Sequence, residues 1–145
     1  MKVADILKGK GKQSVMTVRP TETIEGLAQR LRLAGVGAMI VSEDGQSLDG
    51  IISERDVAYA LPAHPGHLHT LKVSELMTKA VITCRPDDAI ADVSKIMTVR
   101  RIRHVPVIEN GKLVGVISIG DVLKYRLSEI ELEANVLRDI AIAGR

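Results

Sequence analysis

Two halves of this chain spell the same string. Val15-Met16-Thr17-Val18-Arg19-Pro20 returns sixty-six positions later as Val81-Ile82-Thr83-Cys84-Arg85-Pro86. At the same offset Ile24 answers Ile90, Val41 answers Val107, Glu43 answers Glu109 and Gly45 answers Gly111. After a slip of one residue, Gly50-Ile51-Ile52-Ser53 answers Gly115-Val116-Ile117-Ser118, and Asp56-Val57 answers Asp121-Val122. The lead-ins match as well, Val3-Ala4-Asp5-Ile6-Leu7 against Val73-Ser74-Glu75-Leu76-Met77. A repeat this long is one supersecondary unit used twice, and two such units bury their apolar faces against each other. Any site formed where they meet is expected as a pseudo-symmetric pair.

Each copy reads as the same elements. Pro20-Thr21 followed by Ile24, Leu27, Ala28 and Leu31 at helical spacing predicts an amphipathic helix that Gly35 ends. Ala38 to Val41 is a short apolar strand, Glu43-Asp44-Gly45 a turn, Gly50-Ile51-Ile52 a second strand, and Ser53 opens a second helix. The second copy gives a helix around Ile90, Val93 and Met97, strands Val105–Ile108 and Leu113–Ile117 about an Asn110-Gly111 turn, and a helix from Ser118. Residues 122–145 read as one long helix, and the Pro- and Gly-containing stretch from Leu61 to His69 as a loop. Strands alternating with helices make this an α/β (α+β) chain. Its divisions fall at 1–72 for the first repeat with its lead-in and linker, 73–125 for the second, and 126–145 for the C-terminal helix. The two repeats form one compact module.

Composition narrows the function. The chain has 145 residues, 46% of them apolar, enough for one sizeable core, yet no Trp or Phe and only Tyr59 and Tyr125. A net charge of +2 and the lack of aromatic stacking platforms argue against nucleic acid. No apolar run has the roughly 18–20 residues of a membrane span, and none resembles a signal peptide. Cys84 is the only cysteine, which suits a reducing compartment. The expectation is a cytoplasmic protein without membrane contact.

Gly-Ile-Ile-Ser-Glu-Arg-Asp at 50–56 and Gly-Val-Ile-Ser-Ile-Gly-Asp at 115–121 each end a buried strand on a Ser, with an Asp three residues on. One reading is a capping box, contributing about 1 kcal/mol. The other is a helix N-terminus that attracts phosphate, with a carboxylate placed to accept both hydroxyls of a ribose. Arg100-Arg101-Ile102-Arg103-His104 precedes the strand Val105-Pro106-Val107. It is either a solvated basic edge that discourages sheet pairing or a source of phosphate-binding forks. The first copy carries Gly35, Val36, Gly37 and Ala38 at the matching positions, with no charge. His64, His67 and His69 share a loop without Cys or acid, so a metal site is not expected. Cys84 reads as a small buried core residue, not as a nucleophile.

On these residues the chain resembles the tandem cystathionine-β-synthase (CBS) domain pair, or Bateman module, from about Val3 to Lys124. The Met-Thr-Val-Arg-Pro and Ile-Thr-Cys-Arg-Pro openings and both Gly-h-h-Ser-x-x-Asp ends carry the likeness. The resemblance implies adenine-nucleotide binding in two clefts between the repeats: AMP, ADP, ATP or NAD, with S-adenosylmethionine ranked behind them. It implies that Asp121 and Ser118 hold the ribose in one cleft, with Thr17 and Val18 lining the adenine. In the other cleft Asp56 and Ser53 take those parts with Thr83 and Cys84. Arg103 and His104 fall at phosphate positions, and Arg55 stands in for the neutral Gly37 and Ala38. The function it implies is a regulatory sensor acting on an unknown protein partner, not an enzyme. The alternative is a dimeric interaction scaffold without a physiological nucleotide. The pair also occurs inserted in inosine-monophosphate dehydrogenase, but a catalytic barrel of about 250 residues does not fit here.

Leu123, Leu127, Ile130, Ala134, Leu137 and Ala141 alternate spacings of four and three, a heptad seam. It either packs back on the parent domain or contributes to a homodimer, and the homodimer is the expectation.

Overall fold

The computed structural model describes residues 1–11 and 15–144. In chain order it runs α1 (Val3–Lys10), β1 (Thr17–Val18), α2 (Ile24–Ala34), β2 (Ala38–Val41), β3 (Gly50–Ser53) and α3 (Glu54–Ala60). Then follow α4 (Val73–Leu76), α5 (Ile90–Arg100), β4 (His104–Glu109), β5 (Lys112–Ser118) and α6 (Ile119–Ala143). The predicted helices and strands all form. The stretch expected as a loop folds into two 3-10 turns, Leu61–Ala63 and Leu68–Thr70. The long C-terminal helix is continuous with the one that Ser118 caps; its last expected residue, Arg145, lies outside the described residues.

The two repeats fold alike. β1 runs parallel to β2 with Val18 opposite Val41, and Cys84 bridges Val107 in the same sense sixty-six residues on. β2–β3 and β4–β5 are antiparallel hairpins, with Ala38 opposite Ser53 and His104 opposite Ser118. α2 and α5 end alike, each on a left-handed residue, Gly35 (φ 67°) and Arg101 (φ 54°). Glycine adopts this conformation freely; arginine does so at a cost of roughly 1–2 kcal/mol. Arg101 therefore closes a helix, and the following strand begins at His104.

The lead-in helices are exchanged. Val3 N–H donates to the Asp88 carbonyl and Ala4 N–H to that of Pro86, so α1 docks on the second repeat. Val73 N–H donates to Glu22 and Ser74 N–H to Pro20, so α4 docks on the first. The cores follow this exchange. Val3 is buried with Cys84, Ile90, Val93, Met97, Val105, Val107, Ile117 and Val122. Val73 is buried with Val18, Ile24, Leu27, Leu31, Met39, Val41 and Ile52. Each copy thus completes its core with the segment that precedes the other copy. The two units are tied together through shared cores as well as through face-to-face contact.

The exchange also explains the glycines that open the two Gly-h-h-Ser segments. A Cβ on Gly115 would meet Leu7 Cδ2 at 2.5 Å, and one on Gly50 would meet the Thr78 carbonyl oxygen at 2.8 Å and Met77 Sδ at 2.9 Å. Leu7 and Met77 are themselves counterparts in the two lead-ins.

Candidate functional site

β5 ends at Ser118, which caps α6. Its Oγ accepts the Asp121 N–H at 3.1 Å, while Asp121 Oδ2 accepts the Ser118 N–H at 2.9 Å. The first repeat closes the same box, Ser53 N–H to Asp56 Oδ2 at 2.8 Å and Asp56 N–H to Ser53 Oγ at 3.3 Å. The capping reading is therefore realised in both copies. Helix starts are anchored in the same way too, Ile119 N–H on the Arg103 carbonyl and Glu54 N–H on that of Gly37.

Asp121 faces a cleft of about 380 Å³ between the two sheets. Ala38, Met39, Ile40 and Ile51 of the first repeat form one wall; Val114, Gly115 and Val116 of β5 form the other. Val15, Met16 and Val36 close the side, and Ser118, Asp121 and His104 supply polar groups. Apolar walls with a few convergent polar groups, at this size, are the usual make-up of a small-molecule site.

One group in this cleft has no forewarning in the repeat. Lys10, in the last turn of α1, reaches across with Nζ 2.7 Å from Asp121 Oδ2 and 2.9 Å from the Val116 carbonyl oxygen. Counting through the matched lead-ins, its counterpart in the second is Ala80. The two lead-ins also differ in length, α1 having 8 helical residues and α4 only 4, so α1 alone extends far enough to deliver such a side chain. Burial pushes the Asp121 carboxyl up, but Lys10 and the Ser118 N–H and hydroxyl outweigh it and hold the group below its ordinary range. Burial lowers His104, and the Lys10 and Arg103 charges lower it further against Asp121 and Glu54, so its ring favours the neutral form.

The remaining expected site residues divide. Arg103 is exposed beside the cleft and contributes its carbonyl to the start of α6. Thr17 faces an outer hollow with Arg19, Glu22, Arg30 and Asp44, and Val18 is buried in the first core; the first-repeat opening reaches the Asp121 cleft through Val15 and Met16. Thr83 and Cys84 line the matching outer hollow with Arg85, Asp88 and Asn110. Burial and the nearby Asp88 push the Cys84 thiol up to about 11, far from a thiolate nucleophile. Ser53 and Asp56 engage each other, and Arg55 is exposed. Among the described residues, no group of His, Cys, Asp or Glu has the spacing to hold a metal ion, and no helix is long and apolar enough to cross a membrane.

The chain is thus an internally duplicated α/β module with a ligand-sized cleft between its copies. The chain belongs to the CBS domain family, whose model matches residues 3–63 and 73–128. A mitochondrial CBS domain-containing protein of Arabidopsis thaliana is 33% identical over 88% of this chain and 65% of its own length. The chain thus spans just under two thirds of that relative. The crystal structure of a CBS-domain containing protein from Agrobacterium tumefaciens is 40% identical, with a TM-score of 0.82 over 87% of this chain and 99% of that one. A CBS domain pair solved in complex with 5′-methylthioadenosine and S-adenosyl-L-methionine is 25% identical, with a TM-score of 0.76 over 89% of this chain and 98% of its own.

Proposed function

We propose that the module is a non-catalytic sensor that binds an adenine nucleotide in the Asp121 cleft and reports its occupancy to a protein partner. The observation that carries this reading is the Asp121 carboxylate, set at a helix N-terminus and turned into an apolar-walled cleft between the repeats. A ribose diol can donate to both carboxylate oxygens, and the flat apolar walls suit an adenine ring. The phosphate end then lies toward Lys10, His104 and Arg103, where His104 in its neutral form still donates one N–H. The adenosine-type ligands bound by the 25%-identical CBS pair support the chemical class. AMP, ADP, ATP and NAD are the first candidates and S-adenosylmethionine the next.

Binding displaces Lys10 from Asp121 Oδ2. Because Lys10 sits on α1, and α1 completes the core of the second repeat, occupancy changes how the exchanged lead-in is held. That is the differential contact a ligand needs to shift a conformational equilibrium that a partner reads. In the Asp56 region Ser53, Asp56 and Arg55 are proposed to take a second ligand with less preference for phosphate, since Ala80 leaves it without a counterpart of Lys10. We read the assembly as a homodimer in a reducing, cytoplasmic setting, consistent with one buried thiol.

Lys10 also favours a second reading. It already neutralises Asp121, so the cleft is electrostatically satisfied without a ligand. This would suit an interaction scaffold with no physiological nucleotide. A thermal-shift series with each nucleotide separates the two. A ligand at a hundred times its dissociation constant contributes about 2.7 kcal/mol, on the order of 5–10 °C for a chain of this size. No shift with any of them supports the scaffold.

A further inference from the structure

Among the described residues, only the first turns of α6 touch the body of the molecule. Val122 is buried and Tyr125 packs against the second core, but beyond them the helix leaves the surface. Leu123 is 56% exposed, Leu127 60%, Ile130 60% and Leu137 67%. The helix does not fold back on its parent domain. Exposed apolar area of this extent marks an interaction surface, and the charges beside the seam identify what it fits.

With Leu127, Ala134 and Ala141 at the a positions and Leu123, Ile130 and Leu137 at d, the flanking g positions hold Arg126, Glu133 and the apolar Ile140, and the e positions hold Lys124, Glu131 and Arg138. In a parallel, in-register pair each g residue meets the e residue five positions on in the other helix. Arg126 then meets Glu131 of a second copy, and Glu133 meets Arg138; both pairs are attractive and the two-fold axis duplicates them. The antiparallel pair that aligns the whole seam sets Leu127 against Leu137. It then brings Glu133 against Glu133, Glu131 against Glu131 and Lys124 against Arg138, all repulsive. Slipping that pair by a heptad relieves the repulsion but strands Leu123 and Leu127, or Leu137 and Ala141, without partners.

We infer that the occupant of this face is a second copy of the chain, paired through α6 as a parallel, in-register coiled coil. This rests on the homodimer reading above and adds its orientation. Ala134 and Ala141 let the helices approach closely but bury little, and a seam of under three heptads is marginal alone. The pair therefore also draws on contacts between the two CBS bodies, which its parallel sense brings side by side at the start of α6.

The test uses the full chain with Leu127→Cys and Leu137→Cys introduced separately; Cys84 is buried and stays out of the reaction. Light scattering of the unmodified chain at tens of micromolar comes first, with a dimer expected. Mild oxidation should then cross-link each variant to its own copy. No antiparallel register allows both, because one that sets residue 127 against itself leaves the two 137 positions about 30 Å apart. Glu133→Arg should raise the dimer dissociation constant on the order of fivefold, and Glu133→Arg with Arg138→Glu should restore it. A monomer would overturn both the homodimer reading and its orientation. A dimer in which only one position, or neither, cross-links would overturn the orientation alone.

Discussion

Leu7 of the first lead-in stands where a side chain on Gly115 would have to go, its Cδ2 2.5 Å from that Cβ position. The two residues are far apart in sequence and belong to different copies of the repeat. Their contact explains why β5 opens a gap at Gly115 between the branched Val114 and Val116. Gly115→Ala is expected to destabilise the fold by about 1–3 kcal/mol, the usual range for overpacking. Leu7→Ala in the same chain should return part of that loss. Thermal melts of the two single variants and the double give the coupling; strict additivity would mean that the lead-in does not press on β5.

Arg101 occupies the left-handed position that Gly35 fills in the other copy. Arg101→Gly should therefore raise stability by about 1 kcal/mol, strain relief less the extra freedom glycine has when unfolded. Denaturant unfolding checks this, and Gly35→Ala should move the midpoint the other way.

His104 gives the stability a pH dependence with a fixed sign. Its folded pKa lies below the ordinary 6.5, through burial first and then the Lys10 and Arg103 charges. The unfolded chain takes up the proton first as the solution is acidified. The contribution is therefore complete above pH 6.5 and is lost as the pH falls through the depressed folded value. Between pH 7 and about pH 5 the wild type should lose more stability than His104→Gln. Asp121 is also depressed, but from 3.8, so its contribution is lost only below that and does not blur the window. Parallel melting curves across the range would contradict this account.

The ion pair of Lys10 with Asp121 predicts opposite effects on two ligands. Lys10→Met removes a competitor for the carboxylate, so adenosine should bind several-fold more tightly. It also removes a cation from the phosphate end, so the preference for AMP over adenosine should shrink, and with it the salt dependence. Calorimetry with both ligands reads both effects. An unchanged ratio would show that Lys10 does not act on the phosphate, and an unchanged adenosine affinity that it does not compete for Asp121.

The elements of each repeat were legible because their signals are local: the spacing of Ile24, Leu27 and Leu31, the Asn110-Gly111 turn, and the Ser-x-x-Asp caps. Family membership was legible because those signals recur in register. The exchange of lead-ins was not. Val3 and Val73 carry the same apolar pattern whichever core they enter, and only the packing assigns each to the other copy. The role of Lys10 was hidden for a related reason, since a lysine near a helix end reads as a favourable partner of the helix dipole. Its reach to Asp121 follows only once α1 lies on the second repeat. Thr17 and Val18 show the limit of carrying roles over from a motif. Alternation along β1 buries Val18 and turns Thr17 to the outer hollow, leaving Val15 and Met16 to line the cleft.

If Asp121 accepts the hydroxyls of a ribose, calorimetric titration of AMP beside 2′-deoxy-AMP will separate the two ligands. Saturable AMP binding is expected, with the deoxy analogue weaker by roughly ten- to a hundredfold, the loss of one hydrogen bond of about 1.5–3 kcal/mol to a charged acceptor. Equal affinity for the two ligands, or no binding of AMP at millimolar concentration, would contradict it.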